Sequence, residues 1–184
     1  MLNALRMLGE DLREKARVFY QNDTPRAVAK VLATEGTLSM VLYRLMQGAH
    51  ESRLGALEMI FNRMNSVLTG CIIGRGAEFG PGFVIIHAAS VIINGKVRGG
   101  SKILVHQEVT IGDNDRGESG TLGSNISIGA GAKIIGPVHI GDGARIGANA
   151  VVVHDVDPDT TVVGVPARPV RRRNGAPRPL RNAS

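Results

Sequence analysis

Five histidines and one cysteine are the side chains of this chain that can move a proton or attack an electrophile near neutral pH. His87 ends an apolar run, Val84-Ile85-Ile86. His106 follows nineteen residues later, in ILVHQEVT, beside Gln107 and Glu108. A polar stretch, GDNDRGESG at 112–120, has no apolar residue and sets Asp113, Asn114, Asp115 and Arg116 side by side. A neutral imidazole can take the proton of a hydroxyl that attacks an acyl centre. Carboxylates and amides can hold hydroxyl groups. Each feature also has a plainer role: a strand histidine is often structural, and an acid-Asn-acid-Arg cluster can be a solvated turn. Cys71 has no evident activating partner, and one cysteine builds no disulfide framework. No two histidines lie within six residues of each other, so no metal is expected.

The element that must position these groups repeats every six residues. Ile128, Ile134, Ile140, Ile146 and Val152 keep the interval, with Gly129, Gly141 and Gly147 following. Ile126, Ala132, Val138, Ala144 and Ala150 sit two positions before each of the five. That is the pattern of a hexapeptide β-solenoid, whose coils stack because none buries its apolar edge alone. The beat starts near Gly70, loosens around Ile93-Asn94-Gly95, and breaks at 112–120. The break must leave the prism as a loop. A coil of about eighteen residues puts His106 one layer from His87. His139 and His154 are expected to face outward. The low aromatic content of 3% suits a narrow prism.

Residues 1–69 read as helical. Leu2, Leu5, Leu8 and Leu12 share a face, as do Leu38, Val41, Leu42 and Leu45, and Leu57, Ile60, Phe61, Met64 and Leu68. Thr24-Pro25 is a helix start, and Gly36, Gly48 and Gly55 are breaks, with His50 in a loop. An antiparallel bundle is expected, its apolar faces set on the solenoid or on another subunit. The solenoid is expected over 70–167 and a basic tail over 168–184. That tail holds six of the 22 Lys and Arg, so the remaining body balances its 16 acids. The basic surplus therefore does not argue for nucleic acid. Acids near the start and the lack of a long apolar run imply a cytoplasmic protein with no stable membrane insertion. There is no GxxxxGK[ST] and no strand-GxGxxG-helix unit.

The run from GAGAKIIGPVHIGDG to VVGVPARPV resembles the hexapeptide acyltransferases, nearest to the serine acetyltransferase branch. The resemblance covers most of the chain: helical start, solenoid, the His of VIIHAASVIIN and the VVGVPAR ending. It implies a mainly β fold: a left-handed parallel β-helix behind an N-terminal helical segment. It implies an enzyme using acetyl-CoA, a homotrimer with cofactor between prisms, and a dimer of trimers joined by N-terminal helices. It puts His87 in the role of general base. Glu108, Asp113 or a backbone carbonyl are the candidates to orient that ring. Acceptor contacts are expected from Asp113, Asn114, Asp115, Arg116, His106 and Glu108. Acyl-CoA contacts are expected from Gly112, Gly131, Ala132, Ala150, Gly164, Pro166, Ala167, Arg168 and Arg171.

Departures from the serine branch bear on the acceptor. That branch has an Asp supporting the histidine where this chain has Ile72, and another just before it where this chain has Ile86. Its loop has an Arg-His pair; the loop here is about five residues shorter and has no His. A buried ammonium needs an opposite charge, so the sequence favours a saccharide hydroxyl over L-serine. A metal hydratase and a non-enzymatic trimeric scaffold are the other classes compatible with such a prism.

Overall fold

The computed structural model describes residues 2–170. Four helices come first: α1 (Leu2–Tyr20), α2 (Pro25–Val31), α3 (Thr37–Glu51) and α4 (Gly55–Thr69). Thr24 caps α2, its hydroxyl accepting from the Ala27 N–H, with Pro25 in the first turn. Gly36 precedes α3 with a φ of +76°, a conformation glycine adopts without strain. Gly48 is no break: it lies inside α3, buried, so His50 sits in the last turn of that helix. Its Nδ1 is 3.2 Å from Glu58 Oε1 on α4.

Five coils follow. The first holds β1 (Ile72–Ile73), β2 (Glu78–Phe79) and β3 (Val84–Ile85). The second holds β4 (Ile92–Ile93), β5 (Arg98–Gly99) and β6 (Ile103–Val105). The third holds β7 (Thr110–Gly112), β8 (Thr121–Leu122) and β9 (Ile126–Ile128). The fourth holds β10 (Lys133–Ile135), β11 (His139–Ile140) and β12 (Arg145–Ile146). The last holds β13 (Val151–Val152) and β14 (Thr161–Val163), with Val156 bridging to Ile140 between them. Every third strand pairs in parallel, giving three faces led by β1, β2 and β3. The coil is left-handed. Arg168 and Pro169, expected in the tail, instead form β15, antiparallel to β14.

The beat residues fill the prism. Ile73, Ile93, Ile111, Ile134 and Val152 stack inward on the first face, and Ile85, Val105, Ile128, Ile146 and Val162 on the third. The glycine after a beat position lets the next coil approach. A Cβ on Gly129 would stand 2.6 Å from the Ala148 nitrogen.

The helices do not bury the faces that apolar periodicity selects. Leu2 is 86% exposed and Leu5 is exposed too, while α1 buries Ala4, Met7, Asp11, Lys15 and Ala16. Leu57, Ile60, Met64 and Leu68 of α4 are likewise exposed, while Glu58 and Asn65 are buried. In α3 only Leu42 of its expected stripe is fully buried; Met40, Tyr43 and Met46 join the prism core instead.

The reason is the open end of the solenoid. The first coil has no coil above it, so backbone groups along its upper edge need partners. Polar side chains of the helices supply them. Arg44 donates to the carbonyls of Phe79 (2.8 Å) and Gly80 (2.6 Å). Asp11 Oδ1 accepts from the N–H groups of Gly82 (2.8 Å) and Phe83 (2.9 Å). Tyr43 accepts from the Phe79 N–H and donates to the Ala77 carbonyl, both at 3.1 Å. Asn62 donates to the Ile73 carbonyl at 2.7 Å.

Arg44 and Asp11 also pair with each other in a two-pronged contact, Nε to Oδ2 at 2.7 Å and Nη2 to Oδ1 at 3.0 Å. Their side chains are 1% and 0% exposed. Burial pushes the Asp11 carboxyl up, while Arg44 and the two N–H groups pull it back. Removing one partner strands the other charge and two carbonyls. Arg44→Met should therefore lower stability by about 3–5 kcal/mol, read as a fall in the urea midpoint with an unchanged slope.

Candidate active site

Two corners of the prism are longer than the regular five-residue turn. Ile85 pairs with Val105 and Ile93 with Ile111. Seven residues (86–92) therefore round the first corner where the coil below uses five (106–110). His87 rides on that bulge. The second departure is the polar loop: ten residues (112–121) turn where the coil above uses five (94–98). These are different corners, separated by the first face. Within one chain the fold does not bring Asp113, Asn114, Asp115 and Arg116 to His87.

What does reach His87 is Glu35, from the turn between α2 and α3. Its Oε2 lies 2.6 Å from His87 Nδ1. Glu108 and Asp113, expected as orienting groups, are not its partners. His87 Nε2 makes no hydrogen bond among the described residues, and the ring is half exposed. The turn is pinned on several sides. Lys15 donates to the Glu35 carbonyl and, at 3.0 Å, to the Ile85 carbonyl two residues before the histidine. Thr37 Oγ1 donates to the Val31 carbonyl at 2.7 Å. Gly36 lies so close to β3 that a Cβ there would stand 2.3 Å from the Ile85 oxygen. No apolar pattern marks Glu35; the one visible clue is its place before a glycine that breaks two helical stretches.

Beside Glu35 opens a cleft of about 330 Å3, lined by Thr34, Leu38, Leu68, Thr69, Ala88 and Ala89 among others. A larger one, about 570 Å3, lies over the second face between α1 and α3, lined by Gln47, His50, Glu78 and Arg98. His87 lines neither cleft, but the smaller one has its partner Glu35 and its neighbour Ala88 in its walls.

His106 lies one coil below His87, on the same corner. It is partly buried, and burial, then the neighbouring His87, pulls its imidazole below the ordinary value. Glu108 is on this corner with a φ of +61°, and Lys133 donates to its carbonyl. Gln107 Oε1, between them, is buried with no hydrogen-bond partner among the described residues.

In the polar loop Asn114 works locally: its Oδ1 accepts from the N–H groups of Arg116 and Glu118, both at 3.0 Å, and its amide donates to Glu118 Oε2 at 3.0 Å. Lys96 ties the loop down by donating to the Gly117 carbonyl at 2.6 Å. Ala132 and Ala150 are 0% exposed and belong to the prism core. Their side chains line no groove, which corrects the expectation for both. Gly131 marks the same corner as His87, with a φ of +73°. Gly112 ends β7 across the first face. Gly164 and Pro166 are exposed past β14, and Arg168 donates to the Ala167 carbonyl beside it. Arg171 lies outside the described residues. Cys71 is buried, and burial pushes its thiol up to about 11, which suits a packing residue. His139 and His154 are exposed, as expected.

The bacterial transferase hexapeptide family (six repeats) matches residues 120–154. A serine acetyltransferase of Helicobacter pylori J99 is 31% identical over 160 residues, spanning 85% of this chain and 94% of that protein. The Bacillus subtilis serine acetyltransferase is 33% identical over 170 residues, 90% of this chain and 76% of the relative. The chain belongs to the serine acetyltransferase family. It is an acyltransferase of the hexapeptide class. The Synechococcus elongatus serine acetyltransferase, 34% identical, is longer, and the chain spans 66% of its length. Among solved structures, serine acetyltransferase from Neisseria gonorrhoeae in complex with serine superposes with a TM-score of 0.80 at 29% identity, covering 91% of this chain and 69% of that one. A serine acetyltransferase in complex with CoA superposes equally well, with a TM-score of 0.80 at 25% identity and coverage of 91% and 70%.

Lys15, beneath this acyltransferase site, has a titration that can be followed. Burial pulls its ammonium down to about 8 from an ordinary 10.5, against the opposing pull of the Glu35 carboxylate. Between those pH values the unfolded chain holds a proton that the folded chain has released. This group therefore adds stability as pH rises from about 8 towards 10.5. Calorimetry of wild type and Lys15→Met should show the melting temperature of the wild type gaining on the variant across that window.

Proposed function

We propose that the chain transfers the acetyl group of acetyl-CoA to the hydroxyl of L-serine, with His87 as general base. The observation that carries the chemistry is a histidine on a bulged corner whose Nδ1 is engaged by Glu35 and whose Nε2 is free. The kinship with serine acetyltransferases, one solved with serine and one with CoA, supports the two substrates.

In this reading His87 Nε2 takes the proton of the serine hydroxyl as its oxygen attacks the thioester carbon. A tetrahedral intermediate forms, its oxyanion held by backbone N–H groups. Collapse breaks the carbon–sulfur bond, and the imidazolium returns the proton to the departing thiolate. No acyl-enzyme is required, since both substrates share one cleft. Gly131 and the Gly164–Arg168 segment are the proposed path of the pantetheine arm, and Arg168 a partner for its phosphates.

A saccharide hydroxyl is the second reading. It is favoured by Ile72 and Ile86, apolar where the serine branch carries acids, Ile86 being buried. A thiol-release assay decides between them. Serine should support turnover that a sugar panel does not, and turnover of sugars alone would reverse the assignment. His87→Ala should lower kcat by about two orders of magnitude or more.

We also infer a homotrimer in the cytoplasm, paired into a dimer of trimers. No described helix is long and apolar enough to cross a membrane. Exposed Leu57, Ile60, Met64, Val67 and Leu68 on α4, with Ile72 and Ile92 on the first face, form an apolar surface that a neighbouring prism would cover. Exposed Leu2 and Leu5 are the contact inferred between trimers. In a trimer the polar loop of one chain can approach His87 of the next, which its own chain does not allow. Light scattering should return a multiple of three chain masses, and Ile60→Glu with Val67→Glu should reduce it to one.

A further inference from the structure

The geometry points to Glu35 as the positioning residue of His87, held in place by Lys15 through the backbone. The orienting acid of this base thus comes from the helical cap and not from the solenoid. This rests on His87 being the general base.

Three observations converge on it. The first is the 2.6 Å contact between Glu35 Oε2 and His87 Nδ1, within the range of a charge-assisted hydrogen bond. A carboxylate there accepts from Nδ1–H, which leaves the Nε2 lone pair for the acceptor hydroxyl. The second is the mount. Although the Glu35 side chain is largely exposed, its main chain is not free to wander. One ammonium, Lys15 Nζ, bonds both the Glu35 carbonyl and the Ile85 carbonyl, so the strand leading to the base and the turn carrying the acid share one anchor. Gly36 closes the same joint, packed against Ile85 and Ile86 where no Cβ fits.

The third is the vacancy on the strands. Ile72 and Ile86 offer no carboxylate, and among the described residues no other acid contacts the His87 ring. A base without an oriented partner would divide its time between two tautomers, only one of them able to accept at Nε2. Glu35 removes that ambiguity. Buried Lys15 is also accounted for, since an ammonium deep in a helix interface is otherwise expensive.

The test uses the full-length enzyme carrying ¹⁵N-labelled histidine. Glu35→Ala and Glu35→Gln are compared with Glu10→Gln, which removes an exposed acid paired only with Arg13. Ring nitrogen shifts should show His87 as the Nδ1–H tautomer in wild type and in Glu35→Ala a mixture. Glu35→Gln should do no better, because its amide can donate to Nδ1 and hold the wrong tautomer. In both, kcat should fall on the order of 10- to 100-fold, with KM for serine and acetyl-CoA within about twofold. Lys15→Met, with Glu35 intact, should show part of the same tautomer mixing.

An unchanged tautomer, or full kcat in both Glu35 variants, would overturn the proposal. So would a rise in KM for serine at constant kcat, which would make Glu35 an acceptor contact. If His87→Ala is itself fully active, the general-base reading fails instead, and the ring spectra still report whether Glu35 orients the histidine.

Discussion

A stack of parallel coils always leaves its first coil with half its hydrogen bonds unmade. In this chain that constraint explains the helical segment. Arg44, Asp11, Tyr43, Asn62 and Lys15 each spend polar groups on backbone atoms of residues 73–85. The buried face of α1 carries Asp11 and Lys15 among Ala4, Met7 and Ala16 for the same reason: a wholly apolar face would cover the edge and leave its carbonyls and N–H groups unpaired at a cost of about 1–3 kcal/mol each. Beneath this polar layer the stacked rings of Phe79 and Phe83, 4.2 Å apart, with Tyr43 edge-on, join the cap to the isoleucine column.

The same contact builds the corner that carries His87. Lys15 reaches the last edge carbonyl, Ile85, and from there Glu35 and His87 are within two residues. Capping and positioning are one structure. The cap that keeps the solenoid from pairing with another edge also presents the Glu35 carboxylate to His87. The polar groups of the proposed site sit where the coil is lengthened: the seven-residue corner around His87, and the long turn at 112–121, which lies a face away and is organised by Asn114.

Much of the prism was legible because its period is rigid. The interval from Ile128 to Val152 specifies inward positions, and the break at 112–120 had to become a loop since nothing in it gains from burial. The role proposed for His87 comes from family resemblance, not from its own surroundings in the sequence. The helices were legible as helices but not in orientation. Apolar periodicity chose the leucine side of α1 and the Leu57–Leu68 side of α4, both exposed in the single chain, because the face that packs on a strand edge is chosen by hydrogen bonding. Glu35 escaped for a related reason: a lone acid in a turn has no period, and its partner is 52 residues away. Ala132 and Ala150 were assigned to a groove because small residues suit both a groove and a narrow core; their burial places them in the core.

The cap also sets a direction of assembly. Ribosomes release the helices first, with the Arg44 and Asp11 charges and the Lys15 ammonium still lacking the strand groups they will meet. Those side chains find their backbone partners only once residues up to Ile85 have emerged. From then on each new coil has a finished template above it, and every added strand extends a ladder already in register. A stack built in that order would take the register of every later coil from the first one, which the cap holds.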